Sequence, residues 1–137
     1  MGTRCLTVIV NEWENEEVVV LYRQFDGYPS VHGLELAEFL HNITMTDGLQ
    51  GKNTANGIAC LSAQIIAHFK DAPGQFYLYP AGKRDIGEEY IYTVSMPDRK
   101  LKGLHVSVDS TYSDDPTPMY AGDVGGFVQF CHGDDDE

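Results

Sequence analysis

The stretch LYRQFDGYPSVHGLELAEFL, residues 21–40, decides the fold, because within it a strand-like run gives way to a turn and then to a helix. Behind it, CLTVIV (5–10) and VVVLYRQ (18–24) are β-branched and apolar and read as two antiparallel strands joined by the acidic NEWENEE. With the turn centred near Glu14, Val10 faces Val18, Val8 faces Val20, Leu6 faces Tyr22 and Arg4 faces Gln24. Ahead of it, Leu36, Phe39, Leu40 and Ile43 recur at i, i+3, i+4 and i+7, the spacing of one helix face. Ser30 is the candidate N-cap, and Glu35 and Glu38 stand early, where carboxylates suit the helix dipole.

Working outward, TMTDGLQGKNTAN (44–56) reads as a polar loop. GIACLSAQIIAHF (57–69) reads as a second helix, with Ile58, Leu61 and Ile65 on one stripe, and KDAPG stops it. QFYLY (75–79), EYIYTVSM (89–96), LKGLHVSVDS (101–110) and GFVQFC (126–131) read as strands, PDRK being the turn between the middle two. The stretches 80–89 and 111–126 are the other long loops. The order ββααββββ predicts an α+β fold: a mainly antiparallel sheet of about five to six strands with two helices on one face. One domain over residues 1–133 and an acidic tail, 134–137, are expected.

A chain of 137 residues with 42% apolar content can bury a core without disulfides or metal. No run approaches a membrane span and MGTRCLTVIV lacks the parts of a signal peptide, so a cytoplasmic protein is expected. Cys5, Cys60 and Cys131 form no CxxC pair, which speaks against a disulfide framework or a zinc ribbon. The net charge of −12 stays strongly acidic without the DDDE tail and opposes direct nucleic-acid binding. The same acidity fits a well-solvated surface, or a surface that imitates nucleic acid in a basic groove of another protein.

The hairpin register gathers Gly2, Thr3, Arg4, Arg23, Gln24 and Asp26 at one end of the sheet, beside the start of the first helix. Two guanidiniums and a helix N-terminus there favour an anion. An Arg–Asp pair fixing a corner, with Asp-Gly and Tyr-Pro as turn residues, is the architectural alternative. The candidate ligand-binding residues are Thr3, Arg4, Arg23, Gln24, Asp26, Tyr28 and His32, with no catalytic residue, metal or cofactor assigned.

The initial MGTR, followed by LYRQFDGYPSVHG and LELAEFL, resembles small uncharacterised proteins of bacteriophages and mobile elements that begin GTR and carry a (W/F)DGYPxxxG signature. The resemblance rests on Gly2, Thr3, Arg4, Asp26, Gly27, Tyr28, Pro29 and Gly33 and covers about the first third of the chain. It implies a phage or prophage origin and no catalytic residues. The expectation is a non-enzymatic, self-associating protein of the host cytoplasm that sequesters a small anionic nucleotide-like ligand and counters host defence. Arg4 and Arg23 would hold phosphate, Asp26 would orient an arginine or accept from a ribose hydroxyl, and Tyr28 would stack. An acidic inhibitor of a host protein is the runner-up, and a nucleotide-processing enzyme comes third.

Other candidates carry less. Asp26 and His32 could form a general-base pair, but no nucleophile beyond Ser30 or Cys5 stands near. His32, His41, His68, Asp109, Asp114, Asp115 and Asp123 have no metal-ligand spacing. GDVGG (122–126) lacks the ending of a phosphate loop and reads as a lead into the last strand. Tyr77, Tyr79, Tyr90 and Tyr92 alternate along two strands, so each pair shares a sheet face and serves either as an aromatic platform or as core.

Overall fold

A computed structural model describes residues 3–11, 16–46, 53–96, 103–112 and 117–135. The hairpin forms as the pattern predicts: β1 (Cys5–Asn11) pairs antiparallel with β2 (Glu16–Arg23), with Leu6 opposite Tyr22 and Val8 opposite Val20. A bulge between Ile9 and Val10 puts Glu17, not Val18, opposite Val10, which corrects the expected register at that end. The connecting residues 12–15, with the expected turn at Glu14, lie outside the described residues, as does the PDRK turn.

A π-helical turn, Pro29–Gly33, leads into α1 (Leu34–His41). Ser30 therefore sits inside this turn and no side chain caps α1, a correction to its reading as N-cap. Helix α2 spans Gly57–Phe69. The polar loop between the helices contains two three-residue strands, β3 (Thr44–Thr46) and β4 (Thr54–Asn56), paired parallel; residues 47–52 lie outside the described set.

The remaining strands of the main sheet are β5 (Phe76–Tyr79), β6 (Tyr90–Ser95), β7 (His105–Ser110) and β8 (Tyr120–Asp123). The order is β5-β2-β1-β6-β7-β8, a mixed sheet. β1 and β6 run parallel, which a mainly antiparallel reading did not anticipate. The cause is a crossover: residues 80–89 carry the chain from β5 over β2 and β1 to β6 along the face away from the helices. Ile86 of that crossover packs on Leu6, Val8 and Val20, which are almost completely buried although no helix covers them. The Arg84–Glu17 ion pair at 2.8 Å holds the crossover to β2, and the Glu88 carboxylate accepts from the amides of Asp85 and Ile86 at 3.0 and 2.8 Å.

The largest correction concerns 126–131, expected as a strand. It belongs to a third helix, α3 (Val124–Asp135), which GDVGG opens. Asp123 accepts from the Gly126 amide at 2.8 Å as an N-cap would. Phe127 and Cys131, one turn apart, are fully buried, and the rings of Phe127 and Phe130 stack on Tyr120. A short apolar run is ambiguous between strand and helix, and packing against α1 and Tyr120 decides it here. The main core lies between these helices and the odd-numbered side chains of β1. The edge strand β5 is blunted, because Lys70 Nζ donates to the carbonyls of Gly74 and Phe76 at 3.0 and 2.8 Å.

Candidate functional site

The DGYP corner is built from backbone outward. Asp26 adopts φ 62°, a left-handed conformation that turns the chain out of β2. Gly27 then passes against β1, donating its amide to the Thr3 carbonyl at 2.9 Å and accepting the Tyr92 hydroxyl at 2.7 Å. The Tyr28 carbonyl receives the amides of Val31 and His32, both at 3.0 Å, and of Gly33 at 3.5 Å, which winds the π turn. Pro29 begins that turn, where a missing N–H leaves no bond unmade.

This turn delivers His32 into the core. Its ring is fully buried, stacked on Phe69 at 4.9 Å between centroids and tilted against Tyr92 at 5.0 Å. Arg23 Nη1 lies 3.2 Å from Nδ1, and Thr7 Oγ1 lies 2.7 Å from Nε2. An arginine N–H only donates, so Nδ1 accepts and the ring proton sits on Nε2, donating to Thr7. Burial, reinforced by the Arg23 charge, pushes the histidine down to about 3. A neutral ring with both nitrogens engaged cannot serve as the general base considered for the Asp26–His32 pair. The Cys5 thiol is likewise no nucleophile, since burial drives its pKa far up against a smaller opposing pull from Arg23.

Arg23 is 5% exposed and ties the corner together. Its Nε donates to the Phe25 carbonyl at 2.6 Å and its Nη1 to Glu35 Oε1 at 2.7 Å, while the guanidinium lies 5.0 Å from the Phe76 ring centroid. Arg23, His32, Thr7 and Glu35 thus join β1, β2, the π turn and α1 on the helix face of the sheet.

Arg4 is on the other face. Its backbone amide donates to Glu89 Oε2 at 3.1 Å, and its carbonyl accepts from the Glu89 amide at 2.8 Å. The side chain crosses Gly87 so closely that a Cβ there would stand 2.8 Å from Nη1. Its charge acts on two phenols, Tyr22 and Tyr112, in each case opposing an upward shift. Burial raises Tyr22, whereas the hydrogen bond to Glu89 raises Tyr112. Its guanidinium has no hydrogen-bond partner among the described residues. Tyr22 packs on Tyr77 and Tyr79 at 6.1 and 6.0 Å, and Tyr77 is 44% exposed.

The seven predicted residues therefore divide into three groups. Arg23 and His32 meet in the buried network. Arg4, and by strand alternation Gln24, stand on the tyrosine face, with Gln24 anchored through its amide to the Gln75 carbonyl at 2.8 Å. Thr3 serves through its carbonyl, while Asp26 and Tyr28 are exposed at the turn. One ligand cannot touch both guanidiniums across the sheet. Of the four tyrosines, Tyr77 and Tyr79 join the Arg4 face, whereas Tyr90 and Tyr92 belong to the helix-side core.

Sequence reasoning missed Thr7, Glu89 and Tyr112 as members of these groups. Thr7 alone had a legible signal, a polar residue inside the apolar run CLTVIV. Among the described residues no three metal-ligating side chains come together, and no helix is long and apolar enough to cross a membrane. Comparison of the chain with known protein families, with curated proteins and with solved structures gives no match.

Proposed function

We propose that this is a non-enzymatic binding protein for a small anionic, nucleotide-like ligand, held on the tyrosine face of the sheet at Arg4. The observation that carries the reading is the Arg4 guanidinium itself: half-buried, without a hydrogen-bond partner among the described residues, and near enough for its charge to act on Tyr22 and Tyr112. A guanidinium prefers planar anions such as phosphate, and tyrosine rings stack bases without regard to sequence. His32, buried and neutral with both ring nitrogens engaged, and Cys5, buried with its thiol pushed far up, are unsuited to acid–base or nucleophilic work, which favours binding over turnover. Together with the phage origin that the GTR and DGYP resemblance implies, sequestration of a host nucleotide signal is the reading that fits best.

The acidic-inhibitor reading draws less support, because several carboxylates are engaged within the fold. Glu17 binds Arg84 and the Gly82 amide, Glu88 caps two amides, and Glu89 joins Arg4 to Tyr112.

Native mass spectrometry after incubation with a cell-lysate metabolite extract tests the proposal. A retained small anion that is released intact is expected. Arg4→Ala should weaken its binding by about 2 kcal/mol, the loss of a charge-assisted contact. Equal retention by the Arg4→Ala protein would remove the ligand from this face, and a chemically altered molecule would indicate an enzyme.

A further inference from the structure

Two clefts lie side by side on the helix side of the molecule, of about 300 Å³ and about 340 Å³, and share Glu35 and His68. The floor of the first is aromatic, with His68 stacked on Phe39 at 4.5 Å and 29°. Both helix C-termini open onto the pair: Asn42 and Ile43 follow α1 directly, and His68 and Phe69 end α2. The last carbonyls of a helix carry partial negative charge and favour cations. Asn42 donates its side-chain amide to the Glu38 carbonyl at 2.9 Å, which leaves its own carbonyl oxygen as an acceptor. Glu38 and Asp71 line the clefts without an ion-pair partner among the described residues.

At the head of the second cleft stands Arg23, nine-tenths buried. Its Nε and Nη1 are engaged, and Nη2 has no partner among the described residues. Nη2 is not enclosed, so it stays available to donate to a carbonyl oxygen brought into the cleft. Glu35 accepts from Nη1 through one oxygen at 2.7 Å, leaving the other beside it. A donor and a carboxylate oxygen adjacent in this way match an acceptor and a cation carried on neighbouring atoms.

We infer that the paired cleft binds an ammonium group with a carbonyl next to it and an apolar side chain, the chemistry of an α-amino amide. The carbonyl accepts from Arg23, the ammonium sits at Glu35, and the side chain lies over Phe39 and Ile43. The volumes fall at the small end of the range for ligand pockets, about 300–1,000 Å³, which suits a ligand of this size. The site is on the opposite face from Arg4 and takes the opposite charge, so neither proposal depends on the other.

Isothermal titration of the full chain with L-phenylalaninamide tests it. Saturable binding is expected, with N-acetyl-L-phenylalaninamide, which lacks the charge, at least about tenfold weaker. The Glu38→Gln/Asp71→Asn protein should also bind about tenfold more weakly. The Glu16→Gln/Asp85→Asn protein loses the same charge from exposed positions outside the clefts and should bind within about twofold of the unmodified chain. A phenylalanine-initiated tetrapeptide amide separates the sources of this chemistry: equal affinity supports the site and extends it to a peptide amino terminus, and weaker affinity supports it for the free amide alone. The inference is overturned by an absence of saturable binding, by equal binding of the acetylated compound, or by an equal effect of the two double substitutions.

Discussion

Replacing His32 with alanine should lower the stability of the protein by about 4 kcal/mol, seen as a large fall in the urea midpoint with little change in slope. The ring is fully buried, so its removal leaves a cavity against Phe69 and Tyr92. It also deprives Thr7 and Arg23 of partners in a place where water does not replace them. His32→Gln, which keeps an acceptor and a donor but not the ring, should recover part of the loss. A change below about 1 kcal/mol in the alanine protein would mean that the network is not what holds the corner.

The same ring gives stability a pH dependence whose sign is fixed. In the folded chain it is held at about 3, against a reference of 6.5, so unfolding lets it take up a proton that the native state refuses. Its contribution is complete above the unfolded value and is lost as pH falls toward the folded one, with a slope of up to about 1.4 kcal/mol per pH unit. The stability gap between the unmodified protein and His32→Gln should therefore narrow from about pH 7 to about pH 5. A gap that stays constant across that window would show a ring that titrates in the native state as it does unfolded, as a solvated ring would.

What the sequence revealed was what local spacing controls. The β1–β2 hairpin and the helices α1 and α2 follow from alternation and from i, i+3, i+4 recurrence, patterns that one segment carries by itself. The parallel β1–β6 pair was not legible, because EYIYTVSM has the same alternation whichever neighbour it meets. Only the ten-residue crossover that lays Ile86 over Val8 and Val20 sets its direction. GFVQFC failed for a related reason. Its apolar residues suit either a strand or a helix, and what selects the helix is Tyr120, Asp123 and α1, all contributed from elsewhere.

The site was half legible in the same sense. That residues 23–33 hold a dense polar group could be read directly, and they do. Which face each member takes could not, since Arg4 and Arg23 differ only in strand parity, and one parity leads to the tyrosines and the other into the core. The DGYP corner accordingly brings His32 inward, and of the two arginines Arg23 is drawn into it through Nε and Nη1 whereas the Arg4 guanidinium has no hydrogen-bond partner among the described residues.

Gly27 offers the sharpest test of that architectural view. An added Cβ would stand 2.8 Å from Cys5 Cβ and 3.0 Å from both the Arg4 carbonyl carbon and the Cys5 nitrogen. Two of these are backbone atoms near the start of β1, a strand held on both sides by β2 and β6, so the neighbour cannot turn away. Gly27→Ala should cost about 3 kcal/mol despite the gain of up to about 1 kcal/mol that a stiffer unfolded chain provides. Gly33 has a different obstacle: its added Cβ would lie 2.9 Å from Cys131 Sγ and 3.3 Å from Tyr92 Cε1, both side-chain atoms. Gly33→Ala should accordingly be milder, about 1–2 kcal/mol, and Cys131→Ala in the same chain should restore part of it by removing the sulfur. The same Cys131→Ala change added to Gly27→Ala should restore nothing. Chemical denaturation of the four proteins reads this contrast directly, and a rescue at both glycines would mean that the turn yields as a unit and that β1 does not fix its position.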